Sequence, residues 1–297
     1  MQHVTIGTRG SDLALWQANY LKSLLEGVGC SVSLKIIKTK GDKIQHLSFD
    51  KIEGKGFFTK EIEEALLIGE VDVAVHSHKD LETENPAGLT IAAVPERADV
   101  RDVLLVRKDK FQSDRPFGLA PGAVVGTSSI RRKSQLLNLV SDIEIKDLRG
   151  NVPTRIAKMM DGNYDAIVLA HAGLLRLGLS PEGIEMVPFN VDQMIPAPAQ
   201  GALAFQIRDA DEALHRIFRQ VADPQVELAV HVERTLLQRL QGGCHLPFGA
   251  HCLKDGDGFT LHLAYAAPGH TMRKVALRAT RHSELIEQGW EWLQNET

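Results

Sequence analysis

Six arginines stand beside predicted turns or strand ends of this chain: Arg9, Arg131, Arg132, Arg149, Arg155 and Arg176. A guanidinium makes two parallel charge-assisted hydrogen bonds to a carboxylate or phosphate, so such a set implies a ligand carrying several of these groups. Arg131 and Arg132 follow Thr127-Ser128-Ser129 at a predicted helix start, where free backbone N–H groups and the helix dipole favour an anion. Arg9 and Ser11 take the equivalent place near the N-terminus. Singly, each arginine also reads as a surface residue in a weak ion pair. Their recurrence at corresponding turns of two halves favours the ligand.

A second cluster, His76-Ser77-His78-Lys79-Asp80, follows the apolar run Val71 to Val75 at a strand's carboxyl end. A carboxylate beside a lysine suits protonation of a leaving amine or stabilisation of a forming cation. The plainer alternative is a turn with Asp80 as a helix cap. Two histidines and an aspartate also raise the question of a metal ion, and none is expected. The third feature is Cys244, in Gln241-Gly242-Gly243-Cys244-His245-Leu246-Pro247. A thiol on a tight glycine loop is a candidate nucleophile or attachment point. Cys30 and Cys252 lie in apolar sequence and are expected to be buried and inert. No Walker-type phosphate loop, dinucleotide fingerprint or Cys-x-x-Cys pair is present.

The elements that must position these residues follow an α/β pattern. Short β-branched runs alternate with helical ones, which predicts largely parallel sheets. An internal echo recurs after about 100 residues. Val4 to Thr8 leads to a helix from about Leu13, and Val124 to Ser129 to a helix from about Arg131. Farther on, Gly69-Glu70-Val71-Asp72 precedes strand Val73 to Val75, and Gly162-Asn163-Tyr164-Asp165 precedes Ala166 to Leu169. Two similar α/β lobes facing a cleft are therefore expected, with ligands at the carboxyl ends of the strands. Met194 to Gly201, with two prolines and a glycine, reads as a crossing between them. After Asp223-Pro224 a small α+β domain is expected: a helix near 226–240, strands near 259–265 and 275–280, and a helix near 283–293. The stretch 39–57 reads as a mobile loop.

The chain has 297 residues and a formal charge of −4, without the basic excess of a general nucleic-acid binder. Three cysteines, an odd number, point to a reducing compartment. The N-terminal sequence lacks signal-peptide character and no apolar run approaches a membrane span, so a cytoplasmic protein is expected.

Taken together, the segments GTRGSDLALWQA (7–18), GKGFFTKEIE (54–63), VDVAVHSHKDL (71–81), GTSSIRRKSQL (126–136), LRGNVPTR (148–155), AGLLRLGL (172–179), AQGALA (199–204) and QGGCHLPFGA (241–250) resemble the porphobilinogen deaminase family, in the family's order. The resemblance implies two periplasmic-binding-protein-like lobes and a C-terminal domain, over 1–97 with 195–217, 101–192, and 222–297. It implies a transferase that joins four porphobilinogen units into hydroxymethylbilane with loss of ammonia, in tetrapyrrole and heme biosynthesis. It further implies a dipyrromethane cofactor held by a thioether to Cys244, and a monomer acting on a small molecule, without nucleic acid or membrane.

By the same resemblance Asp80 is catalytic, stabilising the cation left when the amine departs. Arg9, Ser11, Ser77, Lys79, Ser129, Arg131, Arg132, Arg149, Arg155 and Arg176 match carboxylate-binding groups, with Thr127 and Ser128 beside them. Phe58 matches an aromatic at the substrate site, Lys51 and Lys55 lie on the loop, and Gln17, Asn151 and Gln200 match remaining polar positions. The family usually carries Met at His78, Pro at Glu82, Gly at Ala199 and Gln-Val at His245-Leu246; none of these departures removes a charge or the thiol. Two rivals remain: a two-lobed polyanion-binding module, which leaves Cys244 idle, and a cysteine hydrolase, which lacks a well-placed histidine base.

Overall fold

Two five-stranded sheets and one three-stranded sheet carry the chain in the computed structural model, which describes residues 2–39, 59–241, 246–267 and 269–296. Lys51, Lys55, Phe58, Cys244 and nearly all of the loop expected over 39–57 lie outside the described residues.

The chain divides into two compact units, Met1–Arg97 with Ala202–Glu227, and Ala98–Gly201 with Leu228–Thr297. In the first unit the sheet order is β2 (Ser31–Ile36), β1 (His3–Thr8), β3 (Val73–Ser77), β10 (Leu203–Arg208), β4 (Leu89–Ala93). Helix α1 (Asp12–Gly27) buries Ala18, Leu21 and Leu25 against Val4, Ile6, Val75 and Phe205 of this sheet, and α6 (Glu212–Phe218) adds Leu214 and Phe218 to the same core. Each such fully buried leucine contributes about 1.5–3 kcal/mol relative to exposure. On the other face α2 (Lys60–Leu67) brings Ile62, Ala65 and Leu66 to Val71 and Ala74.

In the second unit the order is β7 (Glu144–Lys146), β6 (Val124–Gly126), β8 (Ala166–Ala170), β5 (Asp102–Arg107), β9 (Ile184–Pro188). Its site-bearing helices are α3 (Ile130–Leu139), α4 (Val152–Lys158) and α5 (His171–Arg176). The same unit holds an antiparallel sheet of β11 (Phe248–Asp255), β12 (Gly258–Tyr265) and β13 (Arg273–Ala279). Val232 and Leu236 of α7 (Pro224–Arg239) and Leu285 and Leu293 of α8 (His282–Glu296) share a core with Leu261 and Leu263 of that sheet.

The internal echo is real down to register. Setting Gly7-Thr8 on Gly126-Thr127 aligns Thr5 with Val124, and each donates its backbone N–H to the aspartate of the later Gly-x-x-Asp: Thr5 to Asp72 Oδ2 at 2.8 Å, Val124 to Asp165 Oδ2 at 2.9 Å. The pairings Ile6 with Val73 and Val125 with Ala166 are then equivalent. A Cβ at Gly7 would come within 3.0 Å of Val71, and one at Gly126 within 2.8 Å of the equivalent Tyr164, so both turns need glycine for close approach. The first turn is one residue longer, after which Ser11 and Ser129 cap α1 and α3.

The sheets are mixed, not largely parallel. β1 runs parallel to β2 and β3, and β6 to β7 and β8, but β10 and β5 are antiparallel to both of their neighbours. Those two strands are where the chain passes from one unit to the other, and local patterning carries no information about the direction in which a returning strand enters. The division at 201/202 also differs from the 195 expected. Ile195 is held by Gln135 through both of its backbone groups, and Gln200 donates to Val100 O at 2.8 Å, so 195–201 stays with the second unit.

Candidate functional site

In the first unit the site residues gather where β1 and β3 end. β3 is interior to its sheet and almost wholly buried through His76. The chain then turns through one 3-10 turn, His78–Asp80, fixed by His78 N–H on Ala202 O at 3.1 Å. Gln17, buried on α1, donates Nε2 to Ser77 Oγ at 2.7 Å and so ties the helix to the end of β3. Ser11 accepts from Ala14 N at 3.4 Å. Arg9 and Lys79 are partly exposed, while Asp80 is exposed and makes no hydrogen bond or ion pair among the described residues. Asp80 is the last residue of the turn and caps no helix, which removes the plainer alternative for it.

His76 is held from behind. Its Nε2 shares a 3.1 Å bond with Gln206 Oε1, Gln206 Nε2 donates to Glu63 Oε1, and burial lowers the imidazole pKa to about 4, so the ring is neutral near pH 7. Burial raises the Glu63 carboxyl above its ordinary value. Among the described residues no group of three or more His, Cys, Asp or Glu is placed to hold a metal ion.

In the second unit the structure changes the reading of the arginine pair. Arg131 and Arg132, expected as carboxylate-binding groups at a helix start, are 4% and 6% exposed, on the first turn of α3, and both reach Asp102, which is 0% exposed. Arg131 Nη1 donates to Asp102 Oδ2 at 2.7 Å and to Ile195 O at 2.9 Å. Arg132 gives Nε and Nη2 to Asp102 Oδ1, at 3.0 and 2.8 Å, and Nη1 to Val168 O. Gln200 Nε2 adds a bond to Oδ1 at 2.9 Å. A carboxylate in an apolar strand is tolerable only when satisfied in this way. Arg131 spends Nη1 alone on these bonds. Its Nε and Nη2 make no hydrogen bond among the described residues, leaving two donors that suit a carboxylate.

Around this pair the polar residues are mostly structural. Thr127 Oγ1 accepts from Ser129 N, Ser128 Oγ exchanges hydrogen bonds with the backbone of Leu148, and Ser129 and Asn151 cap α3 and α4. Arg155 Nε donates to Gly150 O at 2.7 Å, Arg176 Nη2 to Gly201 O at 2.7 Å, and Arg149 is partly buried in the same turn. Asp102, Gln135 and Glu233 were missed from sequence. Only Asp102, opening the apolar run Val103 to Val106, carried a visible signal.

Residues 4–216 match the family model "Porphobilinogen deaminase, dipyromethane cofactor binding domain", and residues 227–267 match "Porphobilinogen deaminase, C-terminal domain". The chain belongs to the porphobilinogen deaminase family. A porphobilinogen deaminase of Oceanobacillus iheyensis is 42% identical over 99% of this chain and 94% of its own length. That of Nitratidesulfovibrio vulgaris is 48% identical over 86% of this chain and 81% of its own. Among solved structures, the probable amino-acid ABC transporter extracellular-binding protein ytmK from Bacillus subtilis is 10% identical, with a TM-score of 0.45, over 80% of this chain and 97% of that one.

One departure from the usual porphobilinogen deaminase pattern has a structural cost. Ala199, where glycine is usual, sits at φ 60°, the left-handed region that an alanine occupies at a penalty of about 1–2 kcal/mol. The Asp102 geometry also sets what an arginine substitution does to this porphobilinogen deaminase homologue. Replacing Arg131 and Arg132 together by Leu strands a buried carboxylate and should cost about 3–5 kcal/mol of stability. Adding Asp102→Leu should recover part of that loss in urea denaturation. A double variant as stable as the parent, or no recovery in the triple, would contradict the buried ion-pair cluster.

Proposed function

We propose that this chain joins four molecules of porphobilinogen head to tail into hydroxymethylbilane, releasing ammonia at each addition, as a transferase of tetrapyrrole biosynthesis. The observation that carries this is the match of residues 4–216 to the dipyrromethane cofactor-binding domain. The donor set fits such a cofactor. Each pyrrole bears an acetate and a propionate, and the second unit offers Arg131 with Nε and Nη2 uncommitted beside the Ser129 cap, with Arg149 and Arg155 on the neighbouring turn. When bound, the dipyrromethane supplies the free pyrrole position from which the chain grows. Cys244 is the proposed attachment point, through a thioether.

The protein's own groups have separable tasks in this reading. Arg131, Arg149 and Arg155 hold carboxylates through charge-assisted bonds worth about 1.5–3 kcal/mol each. Arg132 acts mainly by sharing Asp102. On the first unit Arg9 and Lys79 are further cations, and Ser77 is oriented by Gln17. Asp80 keeps its carboxylate uncommitted at the end of β3 and stabilises the cation that forms as the amine of porphobilinogen departs. Phe58 is the aromatic of the substrate site, and Lys51 and Lys55 act from the stretch 39–57. The region 222–297 is a third domain carrying the cofactor cysteine. The protein acts as a cytoplasmic monomer; Cys30 and Cys252, both buried thiols, suit a reducing compartment.

The attachment is tested by Cys244→Ser. The variant should fold, with a thermal midpoint below the loaded parent's because the bound cofactor no longer stabilises the native state, give no colour with Ehrlich's reagent and show no turnover, whereas a coloured and active variant would remove Cys244 from this role. Asp80→Asn keeps size and hydrogen-bonding shape but removes the charge. Porphobilinogen consumption should fall about 100-fold or more, the scale of losing one preorganised electrostatic partner, with an unchanged midpoint. Near-parental turnover at that midpoint would leave the aspartate without a catalytic part.

A further inference from the structure

The crossing segment 195–201 is bonded from two sides within the second unit, and one buried acid stands behind it. Glu233, on α7 and 0% exposed, accepts Ala199 N–H on Oε2 at 2.7 Å and Cys252 N–H on Oε1 at 2.8 Å, with His251 Nδ1 at 3.4 Å from Oε1. Next along the chain, Gln200 donates to Asp102, the residue shared by Arg131 and Arg132. Strand β11 supports the same segment: Ala250 N–H bonds Pro196 O at 3.0 Å, and a Cβ at Gly249 would lie 2.6 Å from Ile195 O.

A carboxylate gripping Ala199 N–H has a specific task here. Ala199 is held at φ 60°, a conformation unfavourable for a residue with a Cβ, and that twist precedes the residue whose side chain reaches Asp102. Relaxing Ala199 to ordinary backbone would swing Gln200 away from Asp102. The acid is thus linked to the arginines through Ala199, Gln200 and Asp102 without touching them, on the helix that precedes Cys244 in the sequence.

We propose that Glu233 is a positioning residue: by holding the Ala199 turn it sets Gln200 on Asp102, and through Asp102 it fixes the direction in which Arg131 presents its uncommitted donors. This rests on the reading of Arg131 as a carboxylate-binding group of a porphobilinogen deaminase. A purely structural acid would affect the midpoint alone. A positioning acid changes capture of the anionic ligand at temperatures well below the midpoint.

The test compares the full-length parent with Glu233→Gln, Gln200→Ala and the double variant. Glu233→Gln keeps size but places an amide nitrogen against one of the two N–H donors. Hydrogen–deuterium exchange of the peptide spanning 195–204 should accelerate about tenfold, the scale of losing a bond to a charged acceptor. The fraction of chains bearing the dipyrromethane mass should fall. Among loaded chains KM for porphobilinogen should rise about tenfold with kcat changed less than about twofold. Because both act through one contact, the double variant should resemble Gln200→Ala alone. Unchanged exchange, an unchanged KM, or additive effects would overturn the proposal. Should Glu233→Gln fail to fold, Glu233→Asp, which retains the charge but shortens the reach, should show the same changes at smaller size, and no change in it overturns the proposal equally. A parent that carries no adduct and consumes no porphobilinogen refutes the functional reading instead, and the exchange measurement still decides whether Glu233 holds the turn.

Discussion

A single carboxylate, Asp102, organises the second unit's half of the chemistry. It lies at 0% exposure at the start of an interior strand, and such a charge is sustainable only when its oxygens are fully engaged. Two guanidiniums and an amide engage them. The consequence is geometric as much as energetic: arginine side chains, which in water lose much rotamer freedom when they bind, are here already immobile. A ligand carboxylate meeting Arg131 does not bear that ordering cost, which is how a modest number of donors secures a flexible polyanion.

The repeated half-sheet explains why the same kinds of residue arrive at two places. In each unit a glycine at or next to a strand's end lies so close to a neighbouring side chain that a Cβ would collide with it, a capped helix begins, and a buried glutamine six residues past the cap reaches across to a neighbouring segment: Gln17 to Ser77, and Gln135 to Ile195. From that common frame the halves diverge. Where the first sheet sets Leu203 opposite Ser77, the second sets Asp102 opposite Ala170. The first unit therefore leaves an exposed acid, Asp80, beyond its central strand, and the second gathers cations around a buried one.

Much of this was legible in the residues. The α/β class, the two Gly-Thr turns, the helix starts near Leu13 and Arg131, and the strand leading to Asp80 follow from local pattern, because exposed polar groups after an apolar strand have few other readings. Buried polar partners were not legible. Glu233 sits next to Arg234 in an amphipathic helix, and nothing local marks it as buried; only the contacts with Ala199 and Cys252 do so. The helix start bearing Arg131 and Arg132 was legible, but their pairing with Asp102, 29 and 30 residues away, was not. Strand direction in the crossing strands, and the attachment of 195–201 to the second unit, depend on contacts between distant segments in the same way.

Arg131 has two tasks in the proposed function, pairing with Asp102 through Nη1 and presenting Nε and Nη2 to a carboxylate. Arg131→Lys separates them, because an ammonium can pair with Asp102 but has no second edge to present. The decisive measurement is the intact mass of that variant beside the parent's. The account predicts a parent chain bearing the dipyrromethane mass and a folded variant that is largely bare polypeptide; a variant as fully loaded as the parent would contradict it.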